Sequence, residues 1–188
     1  MSTSHTRKLR HGWRFLFALF AVLGPVLGSV APSTAHATSV VCESGNHDAN
    51  LSPGVTNAVA THEVSTLTTW NCEQLDGVPH FISASSVAEF SAAFSCIGPF
   101  STAPMTWTIV WSDGVDPAKS TFTFTATALP IEGNLVITAP GSITSGRYSG
   151  HMATSTFVVG NPAATPGGPC ASHKGVTEAS GTATLIVL

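Results

Sequence analysis

The stretch "MTWTIVWSDGVDPAKSTFTFTATA", Met105 to Ala128, decides the fold. Its first part puts Met105, Trp107, Ile109 and Trp111 on one side of an extended chain, with Thr106 and Thr108 opposite. Its last part alternates Phe122, Phe124, Ala126 and Ala128 with Thr121, Thr123, Thr125 and Thr127. Side chains of a strand point alternately to opposite faces, so this period of two reads as two half-buried antiparallel strands. Between them Asp113-Gly114 supplies turn chemistry, because Gly tolerates positive φ and Asp can bond its own backbone. The segment is therefore predicted to be a hairpin whose Trp107, Trp111, Phe122 and Phe124 face the core. Each would contribute about 2 to 3 kcal/mol if fully buried.

The same period recurs outward in both directions. Strands are predicted at "THEVSTLTTWN" (61–71), "HFISASS" (80–86), "NLVITA" (134–139), "RYSGHMATSTFVV" (147–159) and "VTEASGTATLIVL" (176–188). "PGSITSG" (140–146) and the Pro- and Gly-rich "GNPAATPGGPCASHKG" (160–175) read as connections. In "SSVAEFSAAFSC" (85–96), Ala88, Phe90, Ala92, Phe94 and Cys96 alternate as in a strand. Ser86 with Glu89 also forms a helical capping box there; strand is preferred because its neighbours are strands. About seven to eight short strands without intervening helices point to an all-β domain. An antiparallel β-sandwich, immunoglobulin-like, is the expected architecture, with a small barrel as the alternative.

The N-terminus has a different character. Arg7, Lys8, Arg10 and Arg14 precede the apolar run "FLFALFAVLGPVLGSVA", and small residues follow up to Ala35-His36-Ala37. These are the parts of a secretory signal, expected to span residues 1–37 and to leave a single domain over 38–188. The run is interrupted by Gly24, Pro25 and Gly28 and falls short of the roughly 20 apolar residues of a bilayer span, so no stable membrane insertion is expected after cleavage. Beyond residue 37, three cations (Lys119, Arg147, Lys174) stand against ten carboxylates, a net charge of −7. That balance repels phosphate backbones and anionic membrane surfaces, so nucleic acid is not an expected partner.

All four cysteines, Cys42, Cys72, Cys96 and Cys170, lie in the exported part. Their wide spacing lacks the C-x-x-C pairs of zinc sites and reads as two disulfides. If strands run alternately up and down, the strand ends near 96 and 158 share a pole, which favours Cys96 with Cys170 and leaves Cys42 with Cys72. Cys42–Cys170 with Cys72–Cys96 remains the other pairing. Each bridge would contribute about 3 to 4 kcal/mol by restricting the unfolded chain.

Catalytic patterns are absent from the motifs. In "SGRYSGH" (145–151), Ser149 is out of place for a nucleophile elbow, no helix follows, and the glycines read as strand residues at a bulge or a close approach. His47, His62, His80, His151 and His173 form no metal-binding spacing and read as surface residues. Glu43, Asp48, Glu73, Asp76, Asp113, Asp116 and Glu132 mostly fall in turns, and no pair of them stands out as an acid and a base. "DGVD" (113–116) and "LPIEG" (129–133) are read as turns, and Asn50-Leu51-Ser52 as a formal glycosylation sequon. Neither a catalytic residue, a metal site nor a cofactor is assigned. Trp70, beside Asn71-Cys72, is the one possible ligand contact, though covering the disulfide is its plainer role.

Taken together, "NLSPGVT" (50–56), Cys72 and Cys96, "WTIVWSDG" (107–114) with its Thr/Phe strand, "GSITSGRYSGH" (141–151) and "GVTEASGTATL" (175–185) after Cys170 resemble a group of small secreted, disulfide-bonded β-rich proteins of actinobacteria. The resemblance implies export, disulfides and β structure, and brings no activity, cofactor or catalytic residue with it. A second likeness, in class alone, is to the apoproteins of actinomycete chromoproteins, acidic sandwiches that carry an apolar small molecule. The expectation is a secreted, extracellular, non-enzymatic protein with a binding or cell-envelope role. A carrier of a small apolar ligand and a small secreted hydrolase are the alternatives.

Overall fold

A computed structural model of the chain describes residues 39–75, 80–98 and 100–188. The expected signal segment, and Asp76 among the carboxylates, lie outside the described residues. The described residues form ten strands: β1 (Val40–Val55), β2 (Ala60–Gln74), β3 (His80–Phe94), β4 (Phe100–Ser101), β5 (Met105–Trp111), β6 (Lys119–Phe124), β7 (Thr127–Ile131), β8 (Asn134–Gly146), β9 (Met152–Gly160) and β10 (Val176–Val187). The ambiguous segment is strand as far as Phe94, since its alternating apolar residues continue the ladder with β2 from Gln74–His80 to Ala60–Phe94. The hairpin forms as read up to Phe124, with Trp107 opposite Phe122 and Met105 opposite Phe124. Thr127–Ile131, read as the end of that strand and the start of the turn "LPIEG", is instead the separate strand β7 paired with β8, and only Glu132-Gly133 turn.

Every pairing is antiparallel, and the strands follow one another around the sheet. β6 and β7 lie end to end along one edge of β8, and β9 takes the other edge. At the junction of β6 and β7, Gly141 of β8 sits where an added Cβ would collide with the Thr123 carbonyl and Phe124. This is why Pro140-Gly141, expected in a connection, lies inside a strand: the missing side chain lets the two backbones meet.

The circuit closes where β1 pairs with β10, from Val40–Val187 to Val55–Val176. Eight strands (β1, β2, β3, β5, β6, β8, β9, β10) thus form an up-and-down barrel, and the preferred sandwich is replaced by its alternative. Both architectures bury one face of each strand, so alternation reads the same in each; pairing of first and last strands separates them, because it abolishes the edges.

One end of the lumen is filled. Trp111, Phe122, Ile143 and Leu185 are almost completely buried there, and Cys42 is bonded to Cys72 within the same cluster. The indole of Trp111 donates to the Ser120 hydroxyl at 2.8 Å, and that hydroxyl donates to the Arg147 carbonyl. The Arg147 guanidinium lies 5.0 Å from the Tyr148 ring and 5.9 Å from that of Trp111. It donates to both carboxylate oxygens of Asp113 and to Gln74 Oε1, each at 2.7 Å, and the Tyr148 hydroxyl donates to the same Gln74 oxygen at 3.0 Å. Burial alone would raise the Asp113 pKa; the Arg147 bonds and charge and the Val115 N–H outweigh it and hold the carboxyl below its ordinary value.

This plug corrects the reading of residues 145–151. Gly146 ends β8 with φ 80°, and beyond it Tyr148 and Gly150 have φ of 61° and 88°, a left-handed backbone that does not continue a strand. Residues 147–150 form the turn between β8 and β9, and the turn folds Tyr148 inward onto Gln74.

Candidate ligand-binding cavity

At the opposite end the strands leave a partly open cup of about 150 Å³. Phe90, Phe94, Phe100, Phe124, Leu135 and Ile137 supply much of its wall, while Ala49, Ala126 and Ala179 are too small to fill the space between them. The ladder between β3 and β5 helps to explain why this end stays wide: it holds only Ala84–Trp111 and Ser85–Val110 and does not continue toward the cup.

Three rings from strands that are not neighbours in the sheet meet across the lumen and make the floor. His47 (β1) lies 4.4 Å from Phe157 (β9) and 6.4 Å from Trp107 (β5), and Trp107 and Phe157 are 5.7 Å apart between ring centres. All three belong to the cavity wall. Below them begins the filled half of the barrel.

His47 is 5% exposed. Its Nδ1 is 2.8 Å from the Thr68 hydroxyl, its cross-strand partner on β2. Removal from water depresses its pKa to about 4, against a smaller upward pull from Asp48, so the ring is neutral near pH 7. Thr68 in turn faces Ser86 on β3, so His47, Thr68 and Ser86 make one buried polar row; the Ser86 hydroxyl has no hydrogen-bond partner among the described residues.

The rim is tied together by His62 and by the second disulfide. His62 is buried, with Nδ1 2.7 Å from the Pro53 carbonyl and Nε2 3.2 Å from that of Phe94, so one ring bridges the ends of β1 and β3. Cys96 is bonded to Cys170 in the β9–β10 connection, where Pro162–Ala164 and Pro169–Ala171 form short 3-10 turns. The Cys96 N–H donates to the Thr56 carbonyl at 2.9 Å and the Asn57 N–H to that of Cys170 at 3.2 Å, which fastens this connection to β1. Both disulfides follow the preferred pairing.

The residues singled out in the sequence do not gather here. Trp70 is 1% exposed, belongs to the buried cluster with Cys42 and Cys72, and is not part of the cup wall. Ser149 is exposed in its turn, and His80 and His173 are exposed as expected. Buried His47 and His62 correct the surface reading of the histidines. Glu43, Asp48, Asp116 and Glu132 are exposed, Glu73 is half-buried and Asp113 is bound to Arg147; none of these carboxylates lines the cup. Among the described residues no group of three or more His, Cys, Asp or Glu is placed to hold a metal ion, and no helix is long and apolar enough to cross a membrane.

His62 was legible: it shares the even positions of β2 with Val64, Trp70 and Cys72, all inward. His47 was not. Counting by twos from buried Cys42 turns Asp48 inward and His47 outward, but register shifts between Val41 and Ser44 and between Cys42 and Asn46 reverse the order. Comparison with protein-family models, curated proteins and solved structures returned no match, so the function is argued from this geometry.

Proposed function

We propose that this is an exported, non-enzymatic binding protein that holds a small apolar molecule in the cup. The observation that carries the reading is the combination of a closed floor with a wall of aromatic and aliphatic side chains around about 150 Å³ of space. Eight-stranded barrels are just wide enough to be filled by side chains or to hold one small ligand. Enclosed apolar cavities of about this size take up benzene-sized molecules, so the space is enough for one such ring. The basic and apolar N-terminal segment, the A-x-A site and two disulfides support export into an oxidising compartment. Among the described residues the cup wall offers no pair of carboxylates for glycoside hydrolysis.

Titration of the oxidised protein with toluene, followed by methyl NMR, tests the reading. Saturable shifts at Val55, Leu135 and Ile137, with the methyls of Ile109 and Leu185 in the filled half little changed, are expected. No saturable shift up to the solubility of toluene, or shifts confined to outward-facing methyls such as Leu67 and Val87, would remove it.

A further inference from the structure

We infer that the ligand is a neutral, ring-sized molecule bearing a hydroxyl, seated with its ring against Phe157 and Trp107 and its hydroxyl on Nε2 of His47. This rests on the binding reading above and adds the chemistry of what is bound.

Four observations support it. His47 belongs to the cup wall, yet one ring nitrogen is committed to Thr68, leaving Nε2 without a protein partner among the described residues. Among the described residues no Asp, Glu, Lys or Arg lines the cup, so a charged ligand would lose its hydration with no counter-charge there to replace it. The other polar side chains of the wall are otherwise engaged. Thr66 donates to the Ala88 carbonyl, Ser95 accepts from the Gly98 N–H, and Asn161 caps the turn at Ala163. Finally, Phe157 and Trp107 both border the imidazole, with ring centres 4.4 and 6.4 Å from it and 5.7 Å from each other, so a ring lying on them brings a substituent to His47.

A hydroxyl fits better than a carbonyl, which can only accept, and than an alkyl amine, which is charged near pH 7. If Thr68 donates to Nδ1, Nε2 carries the proton and needs an acceptor; if Nδ1 donates to Thr68, Nε2 needs a donor. A hydroxyl supplies either, so it satisfies the floor in both tautomers.

Calorimetric titration with p-cresol, toluene and 4-methylbenzoate, on the wild type and on His47→Leu, tests the inference. On the wild type, p-cresol should bind about tenfold more tightly than toluene, the worth of one good hydrogen bond, and 4-methylbenzoate should not bind. In His47→Leu the order of p-cresol and toluene should reverse, because the hydroxyl is then buried unpaired. Nitrogen-15 NMR of the wild-type imidazole gives a readout independent of that variant: the Nε2 resonance should move with p-cresol and not with toluene. If toluene binds as tightly as p-cresol with Nε2 unmoved, the hydroxyl contact is wrong and the apolar cup stands. Preferred binding of 4-methylbenzoate overturns the neutrality of the ligand. If none of the three binds, both readings fall.

Discussion

At one end of the barrel Trp111, Phe122, Ile143 and Tyr148 fill the lumen and Arg147 ties the closing turn to Asp113 and Gln74; at the other, Ala49, Ala126 and Ala179 face aromatic rings across empty space. The same strands run through both. β8 places Ile143 in the filled half and Ile137 in the wall of the cup, and β5 places Trp111 in one and Trp107 in the other. A barrel of fixed strand number therefore divides into a filled base and an open cup through side-chain volume and the short β3–β5 ladder. The base carries the polar network that holds it shut, while the cup keeps one polar ring at its floor.

The largest expected effect tests the base. Trp111→Ala removes a fully enclosed ring and strands the Ser120 and Arg147 contacts, and should destabilise the protein by about 4 kcal/mol in urea unfolding. Toluene should still bind the fraction that remains folded. Loss of less than about 1 kcal/mol would mean that the base is not the stable half.

Acid should act next, through the floor. His47 has a pKa of about 4 when folded against an ordinary 6.5, so on acidification the unfolded chain takes up the proton first. Stability is complete above about pH 6.5 and is lost as pH falls toward about 4, by about 3 kcal/mol in total. Unfolding measured at intervals between pH 7.5 and 4 should show this slope in the wild type and a flatter one in His47→Leu. Equal slopes would assign the acid response elsewhere. Asp113 acts in the same direction but lower, since its depressed pKa delays the loss of its bond to Arg147.

The comparison is sharpest on β8 itself. Ile143→Ala should cost about 3 kcal/mol and Ile137→Ala about 1 kcal/mol, because the second site already borders a void and is only partly buried. Equal costs would mean that the cup is as tightly packed in solution as the base. Smallest in stability, Ala126→Leu should change unfolding by less than about 1 kcal/mol, yet fill the cup and abolish toluene binding. Undiminished binding in that variant would place the ligand outside the cup.

Local features were legible in the chain because short-range chemistry dictates them. The period of two in β5 and β6 survives as the Trp107–Phe122 pairing, and Asp113-Gly114 turns the chain with Gly114 at φ 71° and Asp113 accepting from the Val115 N–H. Up-and-down order was enough to bring Cys96 and Cys170 to one pole. The reading of residues 145–151 as strand failed because Tyr148 is held in the left-handed region by burial and by its contact with Gln74, a residue 74 positions away. The floor of the cup was hidden by the register shifts in β1, whose parity is set by the partner strands and leaves no mark in a list of residues.

Alternation, turn residues and cysteine spacing therefore determined by themselves an antiparallel all-β chain with two bridges, since each depends on neighbours within a few residues or on simple parity. Closure of β1 on β10, the inward turn of His47 and the empty space above it were decided only in three dimensions. They depend on which distant strands pair, and on whether the side chains that meet across the lumen add up to its volume.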